Sequence, residues 1–212
     1  KHWLLSASGP IRNNNEYDGE VYDARMKLEG WDSPGYITGK LAAATKALWQ
    51  PVELVAAPEG KWTAQINPPM KIMQRLKPVR VLPGLDGGFI LDMGQNMVGW
   101  LQIKVKGVKG QQIKLRFAES LQDNGELFTA NLRNAKNTDV YTLKGGEEEI
   151  REPTFVYRGF RFVELSGYTY QPKIEDFVGK MVYDNIKTIG TFETSNPLVN
   201  QIFKNAWWSI AG

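Results

Sequence analysis

Six carboxylates lie on or beside segments that read as strands: Asp92, Glu119, Asp123, Glu126, Asp139 and Glu164. Two carboxyls flanking a sugar would serve glycoside hydrolysis, one as acid and the other as base or nucleophile. Linear spacing does not say which two face each other. Asp92 and Asp139 read more simply as strand-end carboxylates bonded to loop amides, since buried acids are usually structural partners. Glu147-Glu148-Glu149 follows Gly145-Gly146 and reads as a solvated hairpin tip. Other chemistries have little to work with. The chain has no cysteine and a single histidine, His2. That excludes a disulfide scaffold and a cysteine-ligated metal, and argues against a histidine triad. Gly84, Gly87 and Gly88 do not form a dinucleotide fingerprint, and neither a phosphate loop nor a serine elbow is present.

Binding chemistry has more candidates. Asn13-Asn14-Asn15-Glu16-Tyr17-Asp18-Gly19-Glu20 is rich in oxygen donors of the kind calcium takes, and equally in Asx-turn formers. Trp31, Trp49, Trp62 and Trp100 offer flat apolar rings on which the CH face of a sugar can stack. Trp100 reads first as a core tryptophan. Trp31, inside Gly30-Trp31-Asp32-Ser33-Pro34-Gly35, is the better exposed platform. Lys104, Lys106, Lys114 and Arg116 line one polar face if 101–105 and 113–117 pair, and such a face would attract uronates.

These residues need elements to hold them. Leu101, Ile103 and Val105 alternate with Gln102, Lys104 and Lys106. Ile113, Leu115 and Phe117 alternate with Gln112, Lys114 and Arg116. Alternation with a period of two marks half-buried strands, and the turn Gly107-Val108-Lys109-Gly110 predicts a hairpin. Further strands are expected at 88–93, 139–144, 159–166, 179–184 and 188–194. Short strands between turn signals indicate an all-β fold, an antiparallel β-sandwich. In the first third, 21–28 and 50–57 have strand character and alanine-rich 40–48 suggests a short helix. Asn67-Pro68-Pro69 is a natural boundary. After Ser195-Asn196-Pro197, Leu198, Ile202, Ala206 and Ile210 recur at helical spacing, predicting a helix over 197–210. Trp207 and Trp208 then point to different sides of it.

The bulk numbers agree with a globular domain. The chain has 212 residues, 42% apolar and 23% charged, with a net charge of +3. That charge gives no case for nucleic acid. No apolar run reaches the roughly 18 residues of a membrane helix. The opening residues carry no signal-peptide pattern and no initiator methionine. Together with a helix apolar on more than one side, this suggests a piece of a longer protein.

Several stretches resemble bacterial α-L-rhamnosidases. Tyr17-Asp18-Gly19-Glu20-Val21-Tyr22-Asp23-Ala24-Arg25 and Gly30-Trp31 look like their N-terminal β-sandwich domain. Asp92-Met93-Gly94-Gln95-Asn96-Met97-Val98-Gly99-Trp100 resembles the signature of the concanavalin-like domain that follows. Arg116-Phe117-Ala118-Glu119, Asn131-Leu132-Arg133-Asn134-Ala135, Thr138-Asp139-Val140-Tyr141 and Pro153-Thr154-Phe155-Val156-Tyr157-Arg158-Gly159-Phe160-Arg161 extend the likeness in order and spacing. Met93 stands where phenylalanine is common in the family, and Arg158 where histidine is common.

The resemblance implies an inverting glycoside hydrolase that releases terminal α-L-rhamnose. It implies that the acid and base belong to an (α/α)6 barrel beginning at 195–212, so no catalytic residue is expected in this chain. Residues 1–68 would be the back half of an N-terminal sandwich, and 69–194 a whole concanavalin-like, jelly-roll sandwich. Some relatives bind rhamnose through calcium with an Asp-Asn pair. Here Asn14 and Asn15 match that pair, and the lost charge argues against calcium. No cofactor is expected. Asn14, Asn15 and Trp31 are the carbohydrate-binding candidates. The expected partners are a rhamnosylated glycan or glycoside and the parent's catalytic barrel, with self-association through cut surfaces. The parent is expected to be periplasmic or secreted. Two rival readings are a free-standing carbohydrate-binding module for rhamnose or pectic chains, and a hydrolase using Glu119 and Asp139.

Overall fold

The computed structural model describes residues 3–34, 36 and 49–211. The chain forms β1 (Leu4–Leu5), β2 (Ile11–Asn15), β3 (Gly19–Asp23), β4 (Gln50–Pro51), β5 (Met70–Leu76), β6 (Arg80–Pro83) and β7 (Phe89–Val105). It continues through β8 (Gln112–Ala118), β9 (Thr138–Thr142), β10 (Glu149–Arg151), β11 (Arg158–Ser166) and β12 (Phe177–Asp184), and ends in α1 (Pro197–Ala211). Strands β1 and β4 pair with each other. The rest form one ten-stranded sheet in the order β2-β3-β9-β8-β11-β7-β12-β5, with β6 and β10 also on β7.

The 17-residue β7 organises the fold. One edge carries β11 and then β10; the other carries β6 and then β12. Strands distant in sheet order nevertheless share a core. Ile113, Leu115 and Phe117 of β8 join Leu101 and Ile103 of β7 and Phe177 and Met181 of β12 in one buried cluster. The sheet must therefore curl into two facing layers, a β-sandwich. A second, smaller cluster of Ile90, Ala118, Leu127 and Phe162 lies under the 121–127 loop.

The expected hairpin between 101–105 and 113–117 is not formed. Strand β8 pairs with β9 and β11, and that end of β7 pairs with β10 and β12. Both alternating rows do turn inward, but from different parts of the curled sheet. The connection between them is an arch over the core. For the same reason the four basic residues do not make one face. Lys104 meets Glu148 (3.3 Å), while Arg116, on β8, meets Glu164 (2.6 Å).

Other differences are local. Strand β7 joins two expected segments across Gly94 and Gly99, both at positive φ. A Cβ at Gly99 would collide with the Lys180 carbonyl oxygen, so the glycine lets β12 close onto β7. The segment 21–28 is strand only to Asp23, then a 3-10 turn at Ala24–Met26 capped by the Asp23 side chain. The stretch 50–57 is strand only at Gln50–Pro51. The stretch 188–194 makes no strand; the pairing of β12 with β5 ends at Asp184. Strands β1, β2, β5, β6 and β10 match no segment expected from the sequence. The helix expected over 40–48 lies outside the described residues.

Helix α1 begins where Asn196 caps it, its Oδ1 accepting from the Leu198 amide (2.9 Å). None of its residues is buried. Trp207 packs edge-on against Tyr183 of β12 (5.8 Å), and Trp208 rests against the main core.

Candidate functional site

Asp92 is fully buried on β7. Arg80 of β6 donates to it at 2.6 Å, Arg161 of β11 from Nε at 2.9 Å, and the Gly94 amide at 2.8 Å. Burial alone would raise its pKa. The two guanidiniums and the amide outweigh that and hold it at about 2. An acid so placed keeps its charge and its partners; it ties β6, β7 and β11 together.

Asp139 and Glu20 are also buried. Asp139 Oδ1 accepts from Arg158 (2.9 Å) and from the Glu20 amide (2.9 Å). Glu20 Oε2 accepts from Asn14 (3.1 Å) and the Thr154 amide (3.0 Å), while Oε1 has no partner among the described residues. The Arg158 guanidinium lies over Phe117 at 4.4 Å. Desolvation, aided by the neighbouring Asp139 charge, raises the Glu20 pKa. This cluster joins the β2–β3 hairpin to β9 and β11. Residue types alone did not reveal it. The available signal is alternation: Tyr22, two residues after Glu20, packs on the core, so Glu20 must face inward too.

The remaining candidate acids do not converge on a substrate-sized site among the described residues. Glu119 is exposed and accepts from Asn96 (3.0 Å) and Asn131 (3.4 Å). Asp139 is sealed against Arg158, so Glu119 and Asp139 do not form an exposed pair. Glu126 and Glu164 do line one cleft, of about 70 Å³. That is well below the ~300 Å³ at which ligand pockets begin, and Glu164 is tied to Arg116. Glu149 is not a solvated tip residue. It is buried, accepting from Arg151 (2.7 Å) and the Gly145 amide (3.0 Å), because β10 pairs into the sheet.

Asn14 and Asn15 sit on β2, with successive side chains on opposite faces. Asn15 Oδ1 accepts from the Tyr17 and Asp18 amides, an Asx turn that closes the hairpin. Asn14 gives its amide to Glu20. Trp31 is 60% exposed in the turn beyond β3. Trp100 is half-buried and outside the core cluster, its Nε1 donating to Glu152 at 2.6 Å. Glu152 also accepts from Gln102 (3.1 Å) and Lys180 (2.7 Å), which lowers its pKa against the effect of burial.

Two clefts flank α1. Trp207 lines an apolar one of about 420 Å³ with Met70, Met73, Tyr183 and Ile210. Trp208 lines a polar one of about 350 Å³ with Asn96, Glu119 and Asn205. The adjacent tryptophans thus serve different sides of the helix, as their spacing predicts.

Comparison with known proteins agrees with this architecture. The family model for the bacterial alpha-L-rhamnosidase concanavalin-like domain matches residues 85–183, and that for the alpha-L-rhamnosidase N-terminal domain matches residues 1–74. An alpha-L-rhamnosidase of Streptomyces avermitilis is 38% identical over 207 residues, covering 98% of this chain and 19% of the relative. One from Alteromonas sp. is 34% identical, covering 99% and 22%. The crystal structure of the Streptomyces avermitilis enzyme with L-rhamnose superposes with a TM-score of 0.86 at 39% identity, over 95% of this chain and 19% of that one. The alpha-L-rhamnosidase from Dictyoglumus thermophilum gives 0.85 at 38%, over 94% and 22%. The chain therefore spans about a fifth of the length of these relatives. With a curled β-sandwich under both family models and these relatives along nearly its whole length, the chain belongs to the α-L-rhamnosidase family and carries its N-terminal and concanavalin-like domains.

Proposed function

We propose that this chain is the non-catalytic β-sandwich portion of an enzyme that hydrolyses terminal α-L-rhamnose from glycosides or pectic polysaccharides. Its role is to pack against and support the catalytic barrel. The observation that carries this reading is the contrast between locked acids and an open helix. Asp92, Asp139 and Glu164 are held in ion pairs with arginine. Leu198, Ile202 and Ile210 of α1 are each more than half exposed, as is Ile189 before it. An apolar helix face of this size wants a helical partner. The calcium implied by some relatives does not fit the Asn14-Asn15 pair. Asn15 Oδ1 already accepts two backbone amides, and neither side chain brings charge.

Co-producing this chain with the remainder of its parent tests the supporting role. Rhamnosidase activity recovered by the pair, and lost with Ile202→Asp, is the expected result. Full activity from the remainder alone would sink it. The alternative, a carbohydrate-binding module, is favoured by the exposure of Trp31 and by the polar cleft beside α1.

A further inference from the structure

We propose that the polar cleft between β7 and the last turns of α1 is a binding site for one neutral pyranose ring. Its volume, about 350 Å³, is at the lower end of small-ligand sites. It lies where two elements of different type meet, the sandwich on one side and the helix on the other.

The lining chemistry selects the ligand. Among the described residues no lysine, arginine or histidine borders the cleft, so an anion finds no countercharge there. Glu119 is its only carboxylate, and no cluster of three acidic or histidine side chains suited to a metal exists among the described residues. Amides and a hydroxyl make up most of the rest, which does not suit a lipid. A polyol is what remains. Each sugar hydroxyl both donates and accepts, so its complement mixes acceptors with donors.

The hydrogen bonds already made fix which atoms are free. Asn96 donates its amide to Glu119, leaving its carbonyl oxygen as an acceptor. Asn205 Oδ1 accepts from Gln201 (2.7 Å), leaving the Asn205 amide as a donor. Glu119 is held by two amides yet stays exposed, and a carboxylate oxygen accepts more than one hydrogen bond. Trp208 supplies the apolar surface. Its indole is anchored against the core and edge-on to Trp207 (5.4 Å, 89°), so stacking a sugar on it orders little that was mobile.

The site is argued from the cleft itself; only the choice of L-rhamnose as first probe rests on the rhamnosidase reading. The test is titration of the ¹⁵N-labelled chain with L-rhamnose and, separately, D-glucose, following the tryptophan indole and asparagine amide signals. A saturable shift of Trp208 and Asn205 is expected, with Trp31 and Trp62 unmoved. Glu119→Gln and Asn205→Ala, both at exposed positions, should each weaken binding about tenfold while circular dichroism and melting stay unchanged. Saturation by D-glucose alone would support the site and count against the rhamnoside reading. The proposal is overturned if neither sugar gives a saturable shift at Trp208, if both variants bind as well as the native chain, or if the shifts centre on Trp31.

Discussion

Removing the Arg158 guanidinium strands Asp139 as a buried charge with one backbone partner. Arg158→Met is therefore expected to cost about 3–5 kcal/mol, read by urea denaturation. Glu20 should respond in the opposite sense. Its folded pKa lies above the ordinary 4.5, so the folded state binds the proton more tightly. Its contribution is complete below pH ~4.5 and is lost as pH rises through the folded value. Glu20→Gln keeps the shape without the charge. Its melting temperature should match the native chain in acid and exceed it increasingly towards neutrality. A constant difference at every pH would contradict this. Asp92 runs the other way again. Its pKa of about 2, against 3.8, contributes about 2 kcal/mol that is present above pH ~4 and lost as pH falls through 2. Asp92→Asn should remove that loss from the acid limb of the stability profile. At this scale the sequence was half legible. Asp92 and Asp139 read as strand-end acids bonded to loop amides; each does accept one backbone amide, but arginine side chains meet the charge. Their arginine partners come from strands 12 to 69 positions away, which no local spacing encodes.

Strand existence was readable from alternation, and strand pairing was not. The rows 101–105 and 113–117 were recognised as strands because each buries every second residue. Their neighbours could not be read, since a period of two says which face is inward and nothing about which edge is adjacent. The glycine-bearing turn suggested a hairpin where the chain instead arches over the core. Strands β5 and β10 were missed because their burial pattern is irregular or short. The terminal helix was legible to within a residue, since proline and asparagine mark its start and its apolar period is regular. Two substitutions test these elements. Gly99→Ala forces a Cβ into the Lys180 carbonyl and should abolish the folded state or cost several kcal/mol, seen as loss of the cooperative melt. Asn196→Ala removes the cap and should cost about 1 kcal/mol, with helix signal reduced and the sandwich intact.

For the whole molecule, exposed apolar surface is the dominant property. Leu54, Trp62 and Ile66 are more than nine-tenths exposed, and Leu198, Ile202 and Ile210 of α1 are each more than half exposed. Such surfaces drive association, so a mass that rises with concentration is expected by light scattering. A clean monomer throughout would argue against it. The family was legible from motifs because short signatures such as 92–100 hold the glycines and core residues that the curled sheet needs. The candidate sugar contacts were less so. Asn14 and Asn15 are taken up by the hairpin's own hydrogen bonds, and the cleft beside Trp208 joins residues more than a hundred positions apart. The most direct test of the account is turnover. The purified chain is incubated with an aryl α-L-rhamnoside beside the full-length parent, and chromophore release is followed. The account predicts release by the parent and none by the chain. Release by the chain, abolished in Glu119→Gln, would contradict it and return catalysis to the carboxylates of the sandwich.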